Sequence, residues 1–357
     1  KEKTIINQAA AGNEAQKSAL SNVSIVSVLL SLGLMATTAV IFHLLLNNIM
    51  LGLAVGLFMG FGSWILQIST KDERPRVNSL MLVFIVVIFF WMSFHQNGLT
   101  QTFFARDYTV KVVDPFTNIF FHLDSLLSFI AAVAGFFLIF RNKRIVRLVG
   151  ALMFLGFGFL SYYFISGYSD SNPIAPEVFQ SFNPLFIVAL TFPVMGVFTW
   201  LRNRKSEPST PRKIGFGMII AAVAFIIVLI ASLNLVSPHE LQFVDASGTV
   251  KYNPVPDESR VMPYWLMSSY LILTIAELFL SPMGLSFVSK VAPPRFQGLM
   301  QGGWLLATAV GNKLLFVGSY FWGKLDLWQL WAIFIVCCLL SAVFIFSIMK
   351  RLERVTL

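Results

Sequence analysis

The chain has 357 residues, 57% of them hydrophobic and 12% charged, with a net charge of +9 and a mean hydropathy of +0.76. A soluble fold could neither bury so much apolar surface nor cover it with so few charges, and 36 Phe and eight Trp add to the load. The composition excludes a water-soluble enzyme and makes the bilayer the solvent.

A helix rising about 1.5 Å per residue needs about 20 apolar residues to cross a hydrocarbon layer of about 30 Å. Ten runs meet this length, at 23–46, 49–69, 79–104, 122–140, 145–168, 181–201, 214–236, 262–288, 296–321 and 329–349. The fold class read from them is an all-α polytopic membrane protein of about ten transmembrane helices. Residues 1–22 are polar and rich in Ala and Asn, with no cleavable signal after the first apolar run, and read as a cytoplasmic linker within a longer protein. Only Asn47 and Asn48 separate the first two runs, which predicts a tight hairpin over 23–70. In it Gly52, Gly56 and Gly60 form a small-residue stripe for packing against Ser27, Ser31 and small neighbours. The longest loop, 237–261, is too short for a core of its own, so function lies among the helices.

The basic residues set an orientation, because Lys and Arg are retained on the cytoplasmic side. With the first residue inside, 20 of the 26 basic residues fall in inner loops, five in outer loops and one, Lys313, within a span. The expected location is the cytoplasmic (inner) membrane, with both ends of the chain cytoplasmic. The net charge is thus topological, and no nucleic-acid partner is expected. Cys337 and Cys338 read as small core hydrophobes, and His43, His122 and His239 as interfacial or solvated residues without a ligand cluster.

Polar residues at helical spacing mark faces turned to protein or water. The eighth run carries Tyr270, Thr274, Glu277 and Ser281, and the ninth carries Gln297, Gln301, Trp304 and Thr308. The third carries Trp91, His95, Gly98 and Thr102, with Gln96, Asn97 and Gln101 alongside. The sixth adds Asn183, Pro184 and Pro193. Helix-to-helix hydrogen bonding explains one such stripe; three stripes and a carboxylate point to a polar cavity. Glu277 sits near the bilayer centre, where an acidic residue costs about 3 kcal/mol, so it reads as a proton or ammonium site. Lys313, nine residues beyond Trp304, falls on the opposite face of its helix and reads as snorkelling or ion-paired. No phosphate loop, HExxH, CxxC or nucleophile triad is present, and neither an enzyme nor a cofactor is expected.

The segments FWMSFHQNGLTQTFFA (90–105), FQSFNPLFI (179–187), EPSTPRKIGFG (207–217), YLILTIAELFLSPMGLSFVSKVAP (270–293) and MQGGWLLATAVGN (300–312) together resemble the C-terminal half of the proton-coupled oligopeptide transporters, a family of the major facilitator superfamily. The resemblance covers about 200 residues in the family's order. It implies a C-terminal six-helix bundle over 79–357, formed by the third, sixth, seventh, eighth, ninth and tenth runs, with an inserted helix pair at about 122–168. It also implies that the third, sixth, eighth and ninth runs line the cavity. Residue by residue, Glu277 matches the acid that receives the peptide amino terminus, Asn183 an amide near it, Ser281 a polar contact and Trp304 an aromatic wall. Trp91, Phe94 and Gln96 match cavity residues of the bundle's first helix. His95 stands where the family has an acid that gates the outer side. The implied function is symport of di- and tripeptides with protons, shared with an N-terminal six-helix bundle that lies outside these 357 residues. Transport of another small zwitterion or anion, or a non-transporting scaffold of the same fold, are the alternatives.

Overall fold

A computed structural model describes residues 24–355; the expected linker over 1–22 lies outside the described residues. In chain order the helices are α1 (Ile25–Leu46), α2 (Ile49–Ile68), α3 (Arg74–Phe94), α4 (Thr100–Tyr108), α5 (Pro115–Asn118), α6 (Leu123–Ile139) and α7 (Arg144–Gly167). They continue as α8 (Phe182–Asn203), α9 (Thr210–Ser232), α10 (Tyr264–Val291), α11 (Gln297–Lys313), α12 (Phe316–Trp322), α13 (Leu327–Ser347) and α14 (Met349–Arg354). Two short antiparallel pairs complete it, β1 (Val112–Val113) with β2 (Asn172–Pro173), and β3 (Gln242–Val244) with β4 (Val250–Tyr252).

All ten apolar runs are helical. Among the described residues, eight segments are long and apolar enough to cross a membrane alone, α3 and α4 counting as one over Arg74–Tyr108. A ninth arises if Pro115–Phe121 and Leu123–Ile139, bent by 98°, form a single span. The run at 296–321 is not continuous. The 17-residue α11 stops at Lys313, and the chain tightens through Leu314 and Leu315 before α12. Two helices also begin earlier than the hydropathy suggests, α3 at Arg74 and α9 at Thr210, because Pro75 and Pro211 occupy their first turns. Proline there costs no backbone hydrogen bond and presets φ.

The chain divides into two compact units. The first holds the described residues up to Gln101, Phe182–Pro254, and those from Tyr264 onward. In it α9 packs on α10 and α13, α3 on α11 and α13, and α8 chiefly on α10. Its core centres on Trp331, whose indole N–H donates to Ser232 Oγ at 3.0 Å, with Phe225 stacked on it and Phe334 stacked on Phe225. The second unit, Thr102–Ser181 with Val255–Pro263, contains the α6–α7 pair that the sequence places at 122–168. Those two helices meet at Gly135 and Gly150, where a Cβ on either would press on backbone 2.6–2.9 Å away.

The α1–α2 hairpin follows from its turn. Asn47 takes a left-handed conformation (φ 48°), which Asn tolerates, and Asn48 caps α2 by accepting the Leu51 N–H at 3.0 Å. The glycine stripe then faces carbonyl oxygens of α1: Gly52 that of Ala39, Gly56 that of Met35 and Gly60 that of Ser31. Ser31 is thus one of the expected partners, with Met35 and Ala39 completing the seam in place of Ser27.

The link between α8 and α9 is held by charge. Lys213, buried in the first turn of α9, donates to Glu207 at 2.5 Å and lies 4.2 Å above the Phe198 ring of α8. Arg202 at the end of α8 donates to the other oxygen of Glu207 at 2.6 Å. Hydrogen bonds from Arg202, and then from Lys213, hold the Glu207 carboxyl down to about 2, well below the usual range. This clamp fixes one end of α8, the helix that carries Asn183 at its other end.

Two outcomes test these contacts. Gly56→Val should lower the melting temperature of the full-length protein by the equivalent of about 1–3 kcal/mol, because its Cβ would lie 2.5 Å from the Met35 oxygen; Gly33→Ala, which faces open space, should not. Glu207→Gln leaves Lys213 buried without its counter-charge and should cost on the order of 3 kcal/mol at pH 7. Because the folded carboxyl titrates lower than the unfolded one, wild-type stability from the clamp is present above about pH 4.5 and is lost toward pH 2. The gap between wild type and Glu207→Gln in thermal unfolding should therefore close as pH falls through that window.

Candidate substrate-binding site

Glu277 stands midway along the 28-residue α10, with turns of apolar side chains on either side. Asn183, in the first turn of α8, donates from Nδ2 to Glu277 Oε2 and to Thr274 Oγ1, both at 3.0 Å. Thr274 in turn donates to the Tyr270 carbonyl at 2.8 Å, and the Tyr270 hydroxyl donates to the Asn97 carbonyl in the turn His95–Gly98 that follows α3. One polar line thus runs from the carboxylate to the end of α3. Glu277 is half-buried, and no cation pairs with it among the described residues. One carboxylate oxygen is fixed by an amide while the other has no donor among the described residues, so the group is oriented yet able to take a proton or an ammonium. Ser281, one turn further along α10, is also half-buried.

On α3 and α11 the geometry is equally defined. His95 Nδ1 lies 2.5 Å from Asn312 Oδ1, and the imidazole stacks on Trp91 with centroids 4.8 Å apart. A carbonyl oxygen only accepts, so with this amide orientation Nδ1 carries the proton and, in a neutral ring, Nε2 is left as an acceptor. Trp91 and His95 are half-buried, whereas Phe94 is buried, stacked on Phe90 and edge-on to Trp91.

Three expectations are corrected here. Gln96 does not face a cavity: it is fully buried, donates to the Met92 and Leu315 carbonyls at 3.2 and 3.3 Å, and accepts from Thr100 at 2.9 Å. It satisfies backbone freed where α3 and α11 end. Gln101 is likewise structural, donating to buried Ser269 at 3.0 Å, which donates onward to the Ala224 carbonyl at 2.9 Å. Trp304 is buried too, its indole laid against Gly284 and edge-on to Phe84 at 6.3 Å, so its ring is fixed in the interior. Lys313 is exposed, with no ion pair among the described residues. His239, read as interfacial or solvated, is brought within 3.6 Å of Asp326, 87 positions away in the sequence, and beside Glu240.

Residues 165–321 match the model of the family described as the POT family. A peptide transporter of Yersinia enterocolitica is 27% identical over 250 residues, covering 69% of this chain and 34% of that protein. Dipeptide and tripeptide permease A of Chromobacterium violaceum is 32% identical over 143 residues, 40% of this chain and 24% of the permease. The crystal structure of a POT family transporter in complex with a thioalcohol conjugated peptide superposes with a TM-score of 0.59 at 19% identity, over 87% of this chain and 49% of that one, a likeness of fold. The chain therefore spans between about a quarter and a third of these two curated relatives and about half of the solved transporter. With the part of the site on α8, α10 and α11 inside the matched residues, the chain is similar to the POT family over 165–321 and shares the helical fold of a solved POT family transporter.

Proposed function

We propose that this chain is the C-terminal bundle of a proton-coupled importer of di- and tripeptides in the cytoplasmic membrane, working against an N-terminal bundle about a site at their interface. The observation that carries the reading is Glu277, a carboxylate halfway along a transmembrane helix, held by Asn183 and without a cationic partner among the described residues. In low dielectric the ionised form holds the peptide ammonium strongly and the protonated form releases it, so a proton that reaches Glu277 once the peptide is bound drives release on the inner side. Ser281, one turn along α10, and Trp91 on α3 are assigned to contact the same substrate. The similarity to named peptide transporters supports peptides as the cargo, and the surplus of basic residues in alternate loops supports cytoplasmic ends.

His95 is assigned to the outer gate. Its Nδ1–H bond to Asn312 leaves Nε2 to accept from an arginine of the opposing bundle when the outer side closes; a second proton converts that attraction into repulsion.

In the full-length protein, Glu277→Gln should abolish concentrative peptide uptake under a proton gradient; accumulation at the wild-type level would refute the coupling role. His95→Asp should retain transport but shift its optimum to lower pH, since the ordinary carboxyl titrates near 4 and imidazole near 6.5, whereas His95→Ala should flatten the profile. The measurement is initial uptake across external pH 5 to 8 at fixed membrane potential. Unchanged profiles in both variants would make His95 a packing residue.

A further inference from the structure

At the end of the first unit where α3 begins and α13 gives way to α14, five cations line one cleft of about 640 Å³: Lys71, Arg74, Lys350, Arg351 and Arg354. No acidic residue lines it, and none of the five makes an ion pair among the described residues. Other basic residues in the loops of the same predicted side are differently placed. Glu207 holds Arg202 and Lys213, Glu353 holds Arg212, and Glu73 holds Arg295. The acids nearest in sequence to the cleft are thereby committed elsewhere: Glu73 takes two nitrogens of Arg295 at 2.7 and 2.5 Å, and Glu353 accepts from Arg212 and from Ser209. Asp72 is exposed and does not line the cleft. Topological retention requires basic residues on one side of the membrane, but not five unpaired cations around one hollow.

The cleft opens onto apolar surface. Asn78 and Arg351 also border a second hollow of about 460 Å³, walled mostly by apolar side chains of α2 and α3 such as Met59, Leu66 and Leu82. Ile85 passes from it to a third of about 350 Å³ between α3 and α13, walled by Phe89, Leu340 and Phe344. Cations at the helix ends, continuous with apolar grooves along spanning helices, complement one class of molecule in charge and in polarity. We infer that this face binds an anionic phospholipid, its phosphate among Arg74, Arg351 and their basic neighbours and its acyl chains along the grooves toward Ile85. On the orientation that the basic loops predict, the lipid belongs to the cytoplasmic leaflet. The site is separate from Glu277, and its test does not depend on transport.

The experiment is lipid titration of the purified full-length protein in detergent, read by native mass spectrometry, with phosphatidylglycerol, phosphatidylcholine and soluble glycerol 3-phosphate as probes. Phosphatidylglycerol should bind more tightly than phosphatidylcholine. The double variant Arg74→Gln/Arg351→Gln should weaken it about tenfold without affecting phosphatidylcholine, and Arg76→Gln, exposed outside the cleft, should change neither. Ile85→Asn should weaken the lipid from the apolar side. Equal binding of the two lipids, or unchanged phosphatidylglycerol binding in the double variant or in Ile85→Asn, overturns the inference. Glycerol 3-phosphate competing as well as the lipid would mark a free-anion site and overturn it as well.

Discussion

Backbone groups released at a helix break have no water to turn to inside a bilayer, and the site region of this protein depends on how that demand is met. The segment Arg74–Tyr108 tightens at His95–Gly98, and the chain after α11 breaks at Leu314 and Leu315. One side chain, Gln96, reaches a carbonyl of each segment, and Gly318 gives it room, since a Cβ there would overlap its amide. The His95–Asn312 bond lies beside the same junction and joins the same two segments. Trp91, His95 and Asn312 are where they are because the helices that carry them stop together.

That arrangement also marks how far the sequence could be read. Glu277 and Asn183 stand out in the sequence because a carboxylate and an amide in apolar runs have few structural uses, and the structure joins them by a hydrogen bond. The spans were legible because length and hydropathy are set by the bilayer. Gln96 and Gln101 were misread because hydrogen bonding between helices and lining of a cavity call for the same residue types at the same spacing. Only the partners, Leu315 and Ser269, distinguish the two uses, and they lie 219 and 168 residues away. The early starts of α3 and α9 were hidden by basic residues that hydropathy assigns to loops, although Pro75 and Pro211 mark first turns.

Charge divides the basic residues into two kinds. Arg202, Lys213, Arg212 and Arg295 are neutralised within the protein and fasten helix ends to one another. Lys213 is the extreme case, buried under Phe198 and dependent on Glu207. The cations around Arg74 and Arg351 have no acidic partner among the described residues. A sequence-level count of basic residues combines the two, although the first kind stabilises the fold and the second faces outward.

The glycine seam of the α1–α2 hairpin has a kinetic consequence. Its contacts join Gly52, Gly56 and Gly60 to carbonyls only 13 to 29 positions earlier, across a two-residue turn. Such short-range closure loses little chain entropy, and contacts of glycine Cα–H with carbonyl oxygen do not rely on expelling water. The hairpin is therefore suited to assemble in lipid as soon as α2 is inserted, before distant partners exist. It then presents Phe61 as a finished surface against which Gly303 of α11 docks when that helix arrives. The order of synthesis would in this way become the order of assembly, with the first pair of helices serving as a template for a segment made some 240 residues later.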